Sequence, residues 1–164
     1  MKKETYQNIM KFFEEHSSFK SALSWMNRLC TIGVMVSYPL QLLSLLIQRR
    51  TELAEAIIIP MNAFIILTVF RFLVNRPRPY EKFQTESAIH KNKKGNSFPS
   101  RHVFSSFMIA FTVLTFSPWM WTGILLLFIS VIIALIRVVS GVHFISDVLA
   151  GFVFAAAASL FYLL

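Results

Sequence analysis

Charged residues are absent from Leu29 to Ile47, and Arg28 on one side and Gln48, Arg49 and Arg50 on the other bound a run of about 20 residues, the length at which a helix crosses a bilayer. Pro39 inside this run predicts a kink. A second apolar run extends from Leu53 to Val74, with Glu55 near its start, Pro60 inside and Arg71 near its end. From Val103 to Ile136 no charge occurs, which is too long for one crossing. Ser117-Pro118, followed by Trp119 and Trp121, supplies a turn with interfacial aromatics, so two helices are predicted, over 100–116 and 119–138. The last run begins near His143 and continues through AGFVFAAAASLFYLL, whose small residues permit close helix contact. Ahead of these five crossings, Tyr6, Ile9, Phe13, Phe19 and Leu23 recur at near-helical spacing among Lys and Glu, which predicts an amphipathic helix over 1–24 lying in the interface. Lys11, Glu14 and Glu15 interrupt the apolar core that a signal peptide needs, so this segment is expected to stay on the mature protein. The expected fold class is all-α: an integral-membrane helical bundle of about five transmembrane helices plus the N-terminal interfacial helix, forming one domain over 1–164.

Composition agrees. Of 164 residues 55% are hydrophobic and 15% charged, above the roughly 45 to 50% apolar content of soluble domains. Sixteen Lys and Arg against eight Asp and Glu leave +8, which on so apolar a chain favours anionic lipid or phosphate over nucleic acid as partner. Cys30 is the only cysteine, which excludes an internal disulfide framework and a Cys-based zinc cluster.

The chemistry lies in the few charges near the spans, since ionisable groups there are costly and functional by default. Residues 75–99 form the only long loop, rich in Pro, Lys and polar residues, and are expected to be functional. Arg71 and Arg78 stand at the exit of the second helix, Ser100, Arg101 and His102 at the entry of the third, Arg137 at the end of the fourth, and His143 and Asp147 at the start of the fifth. If successive helices alternate in direction, all of these groups share one membrane face. Three Arg around one pocket suit a tetrahedral oxyanion, because each guanidinium is permanently charged and offers forked donors. A single Arg at a helix end often only snorkels to the headgroups. His143 and Asp147, four apart, share a helical face, where a carboxylate can hold one ring nitrogen and leave the other as nucleophile or base; the same pair serves equally as a structural hydrogen bond. His102 supplies a second imidazole.

Arg71 with Arg78-Pro79, then Pro99-Ser100-Arg101-His102, then Arg137 with His143 and Asp147, resembles the three-part signature of the type 2 phosphatidic acid phosphatase and vanadium haloperoxidase superfamily. In that family the pattern is Lys, six residues, Arg-Pro; then Pro-Ser-Gly-His; then Ser-Arg, five residues, His, three residues, Asp. Three positions depart from it. Arg71 stands for Lys, Arg101 for Gly, and Ile136 for the Ser before Arg137.

The resemblance implies metal-independent hydrolysis of a lipid phosphate or pyrophosphate, with candidates in phosphatidic acid, phosphatidylglycerophosphate and undecaprenyl pyrophosphate. By the same resemblance His143 attacks phosphorus, Asp147 fixes its tautomer, and His102 protonates the leaving oxygen and later activates water. Arg71, Arg78, Ser100 and Arg137 would hold the phosphoryl oxygens. Arg101, where the family has Gly, is expected from its own charge to add a phosphate contact and to favour a substrate with a second phosphate. No cofactor is implied. A two-His, one-carboxylate metal site from His102, His143 and Asp147 is the competing enzyme reading, disfavoured because three Arg would repel a divalent cation. A non-catalytic phospholipid-binding protein of the same fold is the other alternative. Relatives of this kind place the site on the extracytoplasmic face, the expectation adopted here, whereas Lys2, Lys3, Lys11, Lys20, Arg28, Arg76, Lys82, Lys91, Lys93 and Lys94 on that same face argue for the cytoplasm by the positive-inside rule. Lys91, Lys93 and Lys94 are also expected to attract anionic headgroups.

Overall fold

The computed structural model describes residues 3–89 and 93–163, which leaves Lys2 and Lys91 outside it. Among the described residues there are helices and no strands: α1 (Lys3–Glu15), α2 (Ser17–Ile47), α3 (Leu53–Val74), α4 (Pro79–Phe83), α5 (Arg101–Phe116), α6 (Met120–Val139) and α7 (Ile145–Ser159), closed by a 3-10 turn over Leu160–Leu163. Among the described residues, four segments are long and apolar enough to cross a membrane: Ser17–Ile47, Leu53–Phe83, Met120–Val139 and Ile145–Leu163. The remaining expected crossing, α5, is a shorter apolar helix.

α5 is the centre of the bundle. Phe104, Phe107 and Met108 pack with Leu67, Val148 and Ala155 from α3 and α7. On its other side Ile109, Ala110 and Val113 meet Val34, Leu126 and Ile133 from α2 and α6. The outer helices turn large apolar side chains outward instead, such as Phe72 at 75% exposure and Leu135 at 60%. Apolar surface of that extent on a protein in water would be a liability; in a bilayer it is the lipid-facing wall, so the chain is an integral membrane protein.

Two glycines set the closest approaches to α5. A Cβ on Gly123 would lie 2.4 Å from the Leu114 backbone, and one on Gly151 would lie 2.7 Å from the Ser100 carbonyl oxygen. Small residues at those points let α6 and α7 close on α5, as the sequence of the last span suggests.

The N-terminal segment differs from the expected single helix over 1–24. His16, at φ −122°, ends α1 at Glu15, and α2 begins at Ser17 and runs uninterrupted through Pro39. At 1.5 Å per residue α2 is about 46 Å long, against a hydrocarbon core of about 30 Å, so the 17–28 stretch extends the first span beyond the apolar layer. The apolar stripe of α1 is also covered by protein. Tyr6, Met10 and Phe13 are buried against Leu23, Tyr80, Phe83 and Ala88, because the long loop folds back beneath the helix and offers it an apolar surface.

Candidate active site

The site is built at the end where α3 leaves, α5 and α7 begin and α6 ends. Arg71, in the last turn of α3, is buried and donates to the carbonyls of Asn96, Ser97 and Pro99. It therefore ties the far end of the long loop to α3. A short helix not expected from the sequence, α4, sits inside that loop and is held by Glu81. This carboxylate accepts from the Arg78 backbone N–H at 2.7 Å and from the Gly95 N–H at 2.9 Å. Arg78 Nε donates to the Gly95 carbonyl at 3.2 Å, while its buried Nη1 has no hydrogen-bond partner.

Ser100 caps the start of α5, and its backbone N–H donates to the Asp147 carbonyl at 2.8 Å, pinning α5 to α7. Its own hydroxyl is buried without a partner. Arg101 and His102 are the first residues of α5, half-buried at its mouth, and Arg101 is near enough to Arg71 for the two cations to repel.

At the end of α6 the chain reverses sharply. Gly141, at φ +74°, takes a conformation that other residues rarely adopt, and the Val142 and His143 N–H groups then donate to the Arg137 carbonyl at 3.2 and 3.1 Å. His143 is thereby folded back beside Arg137. Arg137 is 2% exposed, and neither its Nε nor its Nη1 has a partner. His143 is equally buried, with Nδ1 3.4 Å from Asp147 Oδ2 and 3.3 Å from Ser97 Oγ. Burial lowers the His143 pKa to about 4; Asp147 acts to raise it, and Arg78 and Arg137 lower it further. The imidazole is neutral at pH 7. Asp147, wholly buried, accepts from Ser97 Oγ, from the Phe144 backbone N–H at 3.0 Å and from Arg76 Nη1 at 2.8 Å.

All eight residues singled out from the sequence thus lie on the elements that meet at this end, with Arg78, Arg137, His143 and Asp147 closest-knit. Three residues outside that set also belong to the site's construction. Ser97 bridges His143 and Asp147, and Arg76 pairs with Asp147. Tyr6 donates to the carbonyls of Gly141 and Glu86 at 3.4 Å, and its ring fills the space where a Cβ on Gly141 would lie 2.7 Å away. Ser97 and Arg76 stand within two residues of motif positions, a proximity that could have marked them. Tyr6 belongs in the sequence to the apolar stripe of the expected interfacial helix, and nothing local distinguishes it.

A model of the PAP2 superfamily matches residues 51–164. The protein named "Putative undecaprenyl-diphosphatase YbjG" of Escherichia coli (strain K12) is 32% identical over 125 residues, covering 75% of this chain and 61% of its own length. LpxE of Aquifex aeolicus shares the fold with a TM-score of 0.73 and 22% identity, over 98% of this chain and 93% of that one. A transmembrane PAP2-type phosphatidylglycerolphosphate phosphatase from Bacillus subtilis does so with a TM-score of 0.60 and 20% identity, over 97% and 90%.

Proposed function

The chain belongs to the PAP2 superfamily, and on that premise we propose that it hydrolyses a lipid phosphate or diphosphate, as one membrane-embedded domain over 1–164, through a phosphohistidine formed on His143. The observation that carries this reading is the set of buried donors without partners, Arg78 Nη1, Arg137 Nε and Nη1 and Ser100 Oγ, beside a buried neutral imidazole. Buried cations normally find an anion. Here an incoming phosphoryl group completes them.

Nδ1 of His143 faces Asp147, so Nε2 is the nitrogen that attacks phosphorus. The N–P bond forms as the bond to the leaving oxygen breaks, and His102 gives that oxygen its proton. Water then attacks the phosphohistidine, His102 takes its proton, and the N–P bond breaks to release phosphate. Arg78, Arg137 and Ser100 hold the equatorial oxygens, where charge gathers in phosphoryl transfer, while Arg71 shapes the pocket through the loop it ties down. Asp147 has its carboxylate engaged by Ser97, Phe144 and Arg76, an arrangement suited to orienting an imidazole and poorly suited to ligating a metal ion.

The lipid part of the substrate is supported by an apolar cleft of about 490 Å³ between α5, α6 and α7, which runs up to Val138, Val139 and Ile145 beside Arg137 and Phe144. A diphosphate is favoured over a monophosphate by Arg101, which adds a cation next to Arg71 where the family motif has glycine. The test is phosphate release by purified protein in detergent from a panel of phosphatidic acid, phosphatidylglycerophosphate and undecaprenyl pyrophosphate, with and without EDTA. Release unaffected by EDTA is expected. Silence on the whole panel would favour the non-catalytic lipid-binding reading, and strong inhibition by EDTA would favour a metal centre.

We further propose that the site opens to the extracytoplasmic face, against the Lys-rich balance of that end, because Arg recruited to bind phosphate are poor reporters of topology. With Cys30 replaced by Ser, Lys94→Cys on the exposed loop should react with a membrane-impermeant maleimide in intact cells. Labelling only after lysis would show a cytoplasmic site.

A further inference from the structure

We propose that Arg76 is a positioning residue for the nucleophile: its guanidinium neutralises and holds Asp147 instead of binding phosphate. Its Nη1 donates to Asp147 Oδ1 at 2.8 Å and to Ser146 Oγ at 2.7 Å. The guanidinium lies over the Phe144 ring, 4.6 Å from its centroid, with Phe98 on another side at 5.9 Å. Phe144 and Ser97 both donate to Asp147 Oδ2, and the Ser97 N–H in turn donates to the Arg76 carbonyl at 2.9 Å. Arg76 thus contacts the carboxylate and both residues that share it.

The neighbouring arginines are placed differently. Arg78 and Arg137 keep buried N–H groups without partners, whereas the Arg76 head is committed to Asp147 and Ser146 and flanked by aromatic rings. A wholly buried carboxylate beside an imidazole would otherwise strengthen that imidazole as a base. The Arg76 charge cancels much of this effect, so Asp147 orients the ring while His143 stays neutral. The groups that touch or act on the pair are Arg76 and Arg78 from the start of the long loop, Ser97 from its end, the Ser100 backbone N–H at the start of α5, and Arg137 from α6.

This inference rests on His143 being the nucleophile, and its test separates the two. The His143 titration is followed by NMR of protein carrying 13C-labelled histidine, in parallel with kcat, KM and vanadate inhibition across pH. In Arg76→Gln the His143 pKa should rise by about one unit, a tenfold gain in proton affinity. The acid limb of kcat/KM should move up with it and kcat should fall at least about tenfold, while KM and the vanadate inhibition constant at pH 8 stay within about twofold. An unchanged His143 titration, or a loss confined to KM and vanadate binding, overturns the proposal. Should Arg76→Gln fail to fold, Arg76→Lys decides: kcat lowered with KM and vanadate inhibition preserved supports positioning, and weakened vanadate inhibition refutes it. A wild-type protein without phosphatase activity would remove the catalytic reading, and the NMR titration would still decide whether Arg76 governs His143.

Discussion

His143→Ala should abolish phosphate release while the protein remains folded in detergent, and Asp147→Asn should lower kcat by about 10⁴-fold, as an amide in place of an orienting carboxylate does in comparable triads. The first effect follows from chemistry. No other neutral imidazole is buried among unpartnered guanidiniums at this end of the bundle among the described residues, so nothing replaces the attacking nitrogen. The second follows from the donor count at Asp147. Ser97 Oγ, the Phe144 N–H and Arg76 Nη1 all point at this carboxylate. An asparagine there must turn its NH2 toward one of these donors, lose a hydrogen bond, and leave the Arg76 charge without its partner. His143 then loses both its orientation and the stabilisation of the imidazolium-like character that develops as phosphorus is attacked. The measurement is release of phosphate in single-turnover and steady-state assays, with circular dichroism and thermal melting as the check on folding. An active His143→Ala protein would sink the phosphohistidine mechanism. Because the wild-type His143 pKa is lowered to about 4, kcat/KM should show no loss from its protonation above pH 5.

Arg137→Met should have the second-largest effect, and in two directions. Activity should fall about 10²- to 10³-fold, the usual cost of removing one donor to a developing oxyanion. Stability should rise, by about 1 kcal/mol or more, because Arg137 is a buried cation with two unpartnered nitrogens, and a methionine of similar length fills its space without the desolvation cost. Orthovanadate, as a mimic of the phosphoryl-transfer transition state, should raise the wild-type melting temperature and leave that of Arg137→Met nearly unmoved. A variant that melts lower than the wild type, or that keeps its response to vanadate, would show that Arg137 is structural. The combination of lost activity and gained stability distinguishes a cation held ready for a ligand from one that holds the fold.

How much of this was legible beforehand depends on whether a feature is local. The spans are readable because hydropathy and turn chemistry act over stretches of about 20 residues: the apolar run before Gln48 and the Ser117-Pro118 turn coincide with the ends of α2 at Ile47 and α5 at Phe116, and Arg137 stands in the last turn of α6. The shared end of Arg71, Ser100, Arg137 and His143 followed from counting crossings. The break between α1 and α2 is not legible because no Gly or Pro marks His16, and the protein cover over Tyr6, Met10 and Phe13 is not legible because it comes from a loop about 70 residues away.

By itself the sequence determined an all-helical membrane bundle, the three motif segments with their spacing, and the excess of fixed positive charge gathered at one end, since all of these arise from residue type and helical period. Only the tertiary structure decided how the cations divide their work. Arg71 is spent on loop carbonyls 25 to 28 residues away, Arg76 on a carboxylate 71 residues away, and Arg78 and Arg137 are left with N–H groups unpaired. An arginine in a sequence is one charge and five donors. Whether those donors are already taken is settled by which backbone oxygens and carboxylates the fold brings within about 3 Å of each, and that is a property of the packed bundle.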